Sequence, residues 1–174
     1  ISTYTLLLLA EQFPEYATAL RSDIPESGNA LPDVLDEALF NVRWMLTMQD
    51  PADGGVYHKL TNAEFDAFEV PSVATQPRYV VQKSTAATLD FAAVMAQASR
   101  LARAHPRELP GLADTLMRAA LDAWQWARQH PDSLYDQNRL NAATTPHVNT
   151  GTYGDRNVDD ERRSHSKSSA STRS

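Results

Sequence analysis

Cysteine, a long hydrophobic run and a recognisable leader sequence are all missing from this chain of 174 residues. The absence of cysteine excludes a disulfide framework and a thiolate metal site, and it leaves the redox compartment open. The longest apolar run covers residues 6–10 and is far shorter than the ~20 residues that a membrane-spanning helix needs. Residues 1–10 lack the basic start and cleavage site of a signal peptide. Because the chain begins without Met and inside a helical pattern, we expect it to be a fragment.

An excess of positive charge is missing as well. The chain carries 16 Lys and Arg against 22 Asp and Glu, which gives a formal net charge of −6. It therefore lacks the basic surface of a nucleic-acid-binding protein, and the same sign argues against an anionic membrane as a partner. The 42% hydrophobic and 22% charged residues are ordinary for a globular protein, and the length suffices for one domain with a core.

Four segments show the apolar spacing of three and four that predicts amphipathic helices. The first covers residues 2–21 and contains Pro14, which we expect to kink or split it. The others cover residues 33–48, 84–105 and 109–129. A short link joins the last two, so they are expected to form an antiparallel hairpin. The pattern predicts an all-α fold in which helical periodicity is lost from residue 132 onward.

The connection over residues 50–84 is long and polar, and its prolines and glycines exclude a long helix. A connection of this length inside a helical domain is rare unless it carries function. Residues 54–59 read GGVYHK and combine two glycines, an aromatic ring, an imidazole and an amine. These groups are typical of a surface that binds a polar ligand with flat faces.

Three further patterns resemble one known family when they are taken together and in order. Residues 44–59 read WMLTMQDPADGGVYHK, residues 84–96 read STAATLDFAAVMA, and residues 149–161 read NTGTYGDRNVDDE. With the opening residues 1–10, they resemble the catalytic domain of glycoside hydrolase family 9, a family of cellulases. The resemblance implies a partial (α/α)6 barrel, a six-hairpin toroid truncated at both ends.

The resemblance covers residues 1–161, and the remaining residues depart from it. Residues 162–174 contain one alanine and no larger apolar side chain, where the family has an apolar helix. Such a composition cannot bury enough surface to offset its ordering entropy. We therefore expect residues 162–174 to be a disordered, non-native tail.

The family resemblance also implies an activity, which is the hydrolysis of β-1,4-glucans with inversion at the anomeric carbon. In the family, the general base lies in an aspartate-rich loop just before the position of Ile1, and the general acid is a glutamate beyond the third pattern. Neither position exists in this chain, so we assign no catalytic residue and expect the fragment to be inactive alone. The parent is expected to be a secreted or periplasmic endoglucanase that acts on β-1,4-glucan or cello-oligosaccharides.

Two residues are candidates for substrate binding. The resemblance implies that His58 lines the sugar cleft and hydrogen-bonds a glucosyl hydroxyl; from the residues alone, an exposed or capping loop histidine is the simpler interpretation. Tyr153 lies in a glycine-flanked loop and resembles the family's tyrosine near the catalytic water. The helical Trp44 and Trp124 are instead predicted to belong to the core.

A cluster of carboxylates lies at the end of the third pattern. Asp155, Asp159, Asp160 and Glu161 fall within a few residues of one another, and such oxygens suit Ca²⁺. The resemblance implies a structural calcium ion held by Asp160 and Glu161, with Asp155 as a further ligand. From the residues alone, an acidic helix start that is favoured by the helix dipole is the preferred interpretation.

A helical scaffold that binds a protein partner is the alternative to a cellulase. This alternative predicts an exposed apolar groove and no affinity for cello-oligosaccharides. Titration with cellohexaose distinguishes the two functions.

Overall fold

The computed structural model of the chain describes residues 1–154 and 157–159, and helices dominate this part. A short two-stranded sheet and a 3₁₀ turn, Pro71–Val73, lie between the third and fourth helices. The helices are α1 (Ser2–Gln12), α2 (Pro14–Ala19), α3 (Asp33–Leu46), α4 (Thr85–Arg103), α5 (Leu112–Gln129) and α6 (Gln137–Ala143), and the strands are β1 (Leu60–Asn62) and β2 (Arg78–Val80). The predicted tail, residues 162–174, lies outside the described residues.

The four predicted helical segments are confirmed. Pro14 splits the first segment into α1 and α2, because proline occupies the first position of α2 and offers no N–H to continue α1. Ser84 caps α4, and its Oγ accepts a hydrogen bond from the Ala87 N–H at 3.2 Å. Helical periodicity is lost from residue 132 onward, yet the structure contains one more short helix in this region, α6. This seven-residue helix starts at the N-cap Asp136 and is too short to show a helical period.

The core lies mainly between α4 and α5, which pack against each other as the predicted hairpin. Alanines on the facing sides of both helices are fully or almost fully buried, and their small side chains let the two backbones approach closely. Larger buried side chains from α1 and α3 close the core on the other side of α4. The fully buried large residues include Leu7, Leu35, Leu39, Phe91, Met95 and Leu116.

The long connection folds back on itself and delivers residues 56–59 to the start of α4. Strands β1 and β2 pair antiparallel, with Leu60 opposite Val80. An isolated bridge continues this pairing toward α4, where Tyr57 lies opposite Lys83. The His58 N–H also donates to the Gln82 carbonyl at 3.0 Å. The GGVYHK segment is therefore held by backbone hydrogen bonds, although it contains no helix.

Several large apolar side chains on α1 and α3 are exposed. Phe40 is 72% exposed and Trp44 is 47% exposed, so the prediction that Trp44 belongs to the core is wrong. Helical spacing places Trp44 four residues after Phe40, on the same exposed face, and away from the stripe that contacts α4. Trp124 is partly buried against the core, as predicted. Among the described residues, no helix is long and apolar enough to cross a membrane.

Candidate functional site

The two glycines of the GGVYHK segment lie against α5, and each approaches this helix too closely for a side chain. A Cβ atom on Gly54 would lie 2.8 Å from the Asp122 carbonyl oxygen, and Gly54 also has a positive φ of 83°. A Cβ atom on Gly55 would lie 2.5 Å from the Trp126 ring. Close backbone approach is therefore the physical reason for this glycine pair.

Charged side chains of the same loop bind Lys83, the residue before the N-cap of α4. The Lys83 ammonium lies 2.6 Å from an Asp50 carboxylate oxygen and 2.8 Å from Asp53. The Trp126 indole N–H also donates to Asp53, at 3.1 Å. The hydrogen bonds from Lys83 hold the pKa values of Asp50 and Asp53 below their ordinary range. The network therefore fixes the part of the loop that precedes the glycine pair.

His58 is half-buried at the end of this loop, and both of its ring nitrogens have protein partners. Nδ1 lies 2.8 Å from the Ser84 hydroxyl oxygen, and Nε2 lies 3.0 Å from the Tyr153 carbonyl oxygen. The ring stacks on Tyr135 with 4.3 Å between the centroids and 14° between the planes. The imidazole therefore joins the start of α4 to a segment about 95 residues away in the sequence.

These partners determine the tautomer of His58. A carbonyl oxygen only accepts hydrogen bonds, so Nε2 carries the proton that is donated to Tyr153. Ser84 Oγ already accepts from the Ala87 N–H and has one hydroxyl proton to donate, so Nδ1 is the acceptor of that proton. Burial lowers the pKa of His58, which agrees with a neutral ring.

Tyr153 lies beside His58 in a strained conformation. Its φ of 47° is in the left-handed region, which is uncommon for a residue with a side chain. Its side chain is 76% exposed, and its ring lies over Gly151, where a Cβ atom would be 3.0 Å from the ring. The structure thus brings together His58 and Tyr153, the two predicted substrate-binding residues; their roles toward a substrate stay predictions.

An open cavity of about 760 Å³ lies on the other side of the GGVYHK segment. Its wall combines aromatic rings with polar groups, and His58 is part of that wall. Such a mixture of apolar faces and a few polar groups is typical of small-molecule and sugar sites. The residues of the wall that carry these groups include Trp44, Tyr57, His58, Asn41 and Asp90.

The predicted calcium ligands, Asp155, Asp160 and Glu161, all lie outside the described residues. Within residues 1–154 and 157–159, no group of three or more His, Cys, Asp or Glu side chains is arranged to hold a metal ion. The described structure therefore leaves the calcium prediction untested.

Three residues of the site were not assigned to it from the sequence. Ser84 begins the third predicted helical segment, and nothing in that pattern indicates that its hydroxyl also contacts His58. Tyr135 follows α5 in a segment with no helical pattern, so nothing local indicated that it stacks on His58. Lys59 was part of the GGVYHK pattern, but its partners, residues 137, 150 and 151, are distant in sequence and gave no signal.

Comparison with known proteins places the chain among glycoside hydrolases. The model of the family described as "Glycosyl hydrolase family 9" matches residues 1–164. The xyloglucan-specific endo-beta-1,4-glucanase BoGH9A of Bacteroides ovatus is 52% identical over 149 residues, which are 86% of this chain and 25% of that protein. Endoglucanase C of Cellulomonas fimi is 39% identical over 143 residues, 80% of this chain and 12% of that protein.

Solved structures of the same family superpose on the chain. The solved structure of Bacteroides ovatus GH9 has a TM-score of 0.92 at 47% identity. The match covers 96% of this chain and 30% of that one. AaCel9A in complex with cellobiose-like isofagomine has a TM-score of 0.81 at 33% identity, with the same two coverages. The chain thus spans a quarter or less of the length of these two curated relatives and less than a third of these two solved chains.

Proposed function

The chain belongs to glycosyl hydrolase family 9, and we propose that it forms part of the substrate cleft of an endo-β-1,4-glucanase that inverts the anomeric carbon. The solved members that match it are (α/α)6 barrels, so the predicted partial (α/α)6 barrel is confirmed. Inverting hydrolysis needs one carboxylate as general base and another carboxyl as general acid. We assign neither role to a residue of this chain, which contributes binding groups.

The observation that carries the proposal is the wall of the open cavity around His58. The flat faces of a glucan chain present C–H groups that aromatic rings cover well, and its hydroxyls need hydrogen-bonding partners at the edges. Trp44 is half-exposed beside the cavity and offers such a ring. Asn41, one turn earlier on α3, offers polar atoms in the same wall.

His58 offers the polar contact that the proposal needs at the end of the cavity. Its Nε2–H donates to the Tyr153 carbonyl, so a sugar hydroxyl binds this nitrogen by sharing its proton with that carbonyl. Ser84 holds Nδ1 with or without the sugar and keeps the ring oriented. The neutral ring leaves the Nε2 proton available to a hydroxyl oxygen.

Calorimetric titration of the chain with cellohexaose tests the proposal. We expect saturable binding that the substitution His58→Ala weakens by about tenfold, because one hydrogen bond to the ligand and the order of Tyr153 are lost together. His105→Ala is the matched control, since His105 follows the far end of α4, about 30 Å along the helix from Ser84.

Two outcomes of this titration contradict the proposal. One is the absence of cellohexaose binding by folded protein, and the other is an equal loss of affinity in the His58 and His105 variants.

A parallel titration with a xyloglucan oligosaccharide asks whether the cleft also accepts the branched substrate named for the Bacteroides ovatus relative. Because β-1,4-glucan polymers do not enter cells, the proposed activity implies a secreted or periplasmic protein.

We further propose that Asp160 and Glu161 hold a structural calcium ion, with Asp155 as a further ligand. It is supported by donor chemistry, since carboxylate oxygens are the hard ligands that Ca²⁺ prefers. We expect Ca²⁺ to raise the thermal midpoint of the chain by a few degrees over EGTA, because the ion binds the folded state only. Asp160→Asn is expected to remove this rise, and Asp114→Asn, at an exposed site on α5, is expected to keep it. Equal thermal midpoints of the unsubstituted chain in Ca²⁺ and in EGTA would contradict the proposed calcium site.

A further inference from the structure

Residues 58–63 hold residues 149–153 by a series of bonds that is not a backbone ladder. The two segments run antiparallel, and most of the bonds come from side chains. We call residues 149–153 the held segment. Its bonds join the Asn149 N–H to the Ala63 carbonyl at 2.7 Å, Thr150 Oγ1 to Thr61 Oγ1 at 2.7 Å, the Gly151 carbonyl to the Lys59 ammonium, and the Tyr153 carbonyl to His58 Nε2 at 3.0 Å.

Lys59 makes more of these bonds than any other described side chain. Its three ammonium protons reach three acceptors: the Gly151 carbonyl, Thr150 Oγ1 at 3.3 Å and Gln137 Oε1 at 3.1 Å. Among the described ion pairs, none involves Lys59. The ammonium is thus saturated by neutral oxygens of the held segment and of α6.

Two tyrosine rings complete the surroundings of the Lys59 ammonium. Its nitrogen lies 5.5 Å from the centroid of Tyr135 and 5.7 Å from that of Tyr153. Both distances are within the range of a cation–π interaction. Tyr135 is also the ring on which His58 stacks, so the adjacent residues 58 and 59 share one aromatic platform. Burial lowers the pKa of Lys59, as expected for an ammonium without a carboxylate partner.

The held segment needs this support because of Tyr153. The left-handed conformation reduces the population of a non-glycine residue by about 5- to 30-fold relative to its ordinary conformations. Tyr153 is 76% exposed, so burial of its ring contributes little against this preference. Bonds on both sides of the residue, at the Gly151 and Tyr153 carbonyls, are what oppose relaxation of its backbone.

We propose that Lys59 is a positioning residue for glucan binding: it fixes the held segment so that Tyr153 stays strained against His58. This inference rests on the proposed function, since it assigns Lys59 a task in the same cleft. Lys59 also lines the cavity, but its three protons are engaged by protein oxygens, so we assign it no hydrogen bond to the glucan. Without Lys59, the held segment relaxes and the Tyr153 carbonyl leaves its place beside His58. Only a minor fraction of molecules then keeps the arrangement in which a glucan hydroxyl and this carbonyl share the Nε2 proton.

The test compares Lys59→Met, which keeps the length of the side chain and removes the donors, with Lys59→Arg, which keeps them. The first readout is the Nε2 proton of His58 in nitrogen-15 NMR spectra, which needs no sugar. In the unsubstituted chain, we expect a slowly exchanging signal of the Nε2–H tautomer. Lys59→Met is expected to lose this protection and Lys59→Arg to restore it. Arg118→Met, at an exposed position of α5, is the control for loss of a cationic side chain.

The second readout is cellohexaose affinity, which we expect to fall about tenfold in Lys59→Met and to recover in Lys59→Arg. Unchanged His58 signals together with unchanged affinity in Lys59→Met would overturn the inference. Loss of the thermal transition in both Lys59→Met and Lys59→Gln would also overturn it, because Lys59 would then have a general structural role. If the unsubstituted chain binds no cellohexaose, the proposed function fails. The His58 signals then still report whether Lys59 positions the held segment.

Discussion

Gly54→Ala is expected to lower the free energy of unfolding by about 2 to 5 kcal/mol. The new methyl group would lie 2.8 Å from the Asp122 carbonyl oxygen, which belongs to the backbone of α5 and cannot rotate away. Overpacking of this kind costs about 1–3 kcal/mol. The φ of 83° at Gly54 adds about 1–2 kcal/mol for any residue with a side chain. Urea denaturation followed by circular dichroism measures the sum.

Two other glycines separate the contributions of contact and strain. Gly111 has a φ of 73°, but no atom lies within 4 Å of its added Cβ, so Gly111→Ala should cost only about 1–2 kcal/mol. Gly55 has no positive φ, but its added Cβ would lie 2.5 Å from the buried Trp126 ring, so Gly55→Ala should cost about 3 kcal/mol from contact alone. If Gly54→Ala lowered the free energy of unfolding by no more than Gly111→Ala does, the result would show that the loop does not lie against α5.

Lys83→Met tests a different interaction, and we expect it to lower the free energy of unfolding by about 2 kcal/mol at neutral pH. The side chain of Lys83 is 19% exposed and that of Asp50 is 23% exposed, so their hydrogen bond is only partly screened by water. Methionine keeps most of the volume and removes the charge, which leaves Asp50 and Asp53 as neighbouring carboxylates without their cation. Hydrogen bonds to charged groups contribute about 1.5–3 kcal/mol each, and solvent access reduces this value here.

The effect of Lys83→Met should depend on pH in a defined direction. The pKa values of Asp50 and Asp53 are lowered in the folded chain, so their contribution to stability is present above the unfolded pKa of about 3.9 and is lost as the pH falls through the folded values. Burial acts to lower the pKa of Lys83, but its bonds to the two aspartates raise it, so its contribution is complete below about pH 10. The stability difference should therefore be largest between these limits.

Urea denaturation of both proteins at pH 7 and at pH 3 tests this dependence. The control is Arg103→Met, because the pair of Arg103 with Asp114 is mostly exposed and should contribute under about 0.5 kcal/mol. A Lys83→Met difference that stays constant from pH 7 to pH 3 would contradict an ionic role for this network.

The helices of the chain were predicted well because their signals are local. The spacing of apolar residues marks the face that each helix buries, and Pro14, Ser84 and the prolines after the later helices act within one turn of the ends that they define. The missed helix α6 and the misassigned Trp44 share one cause. A seven-residue helix shows too little periodicity, and an apolar residue next to the buried stripe has the same local pattern whether or not another element covers it.

The site was predicted only in part, since its residues meet across long separations in sequence. The GGVYHK pattern indicated a functional loop that contains His58. The residues around Tyr153 resemble a known family, and this resemblance made Tyr153 the second candidate for substrate binding. The stacking of His58 on Tyr135 and the bonds of Lys59 to the Gly151 carbonyl and Gln137 had no local signal. Such contacts depend on how the β1–β2 connection folds back onto α4.

By itself, the sequence determined the all-α class, the bounds of the main helices and membership of a cellulase family, because periodicity, capping residues and ordered motifs are written along the chain. Tertiary structure alone decided that Gly54 must lie against α5, that both nitrogens of His58 face protein partners, and that Lys59 supports a strained Tyr153. The physical reason is that these features depend on distances between residues that are far apart in the sequence. Such distances exist only once the core between α4 and α5 has formed.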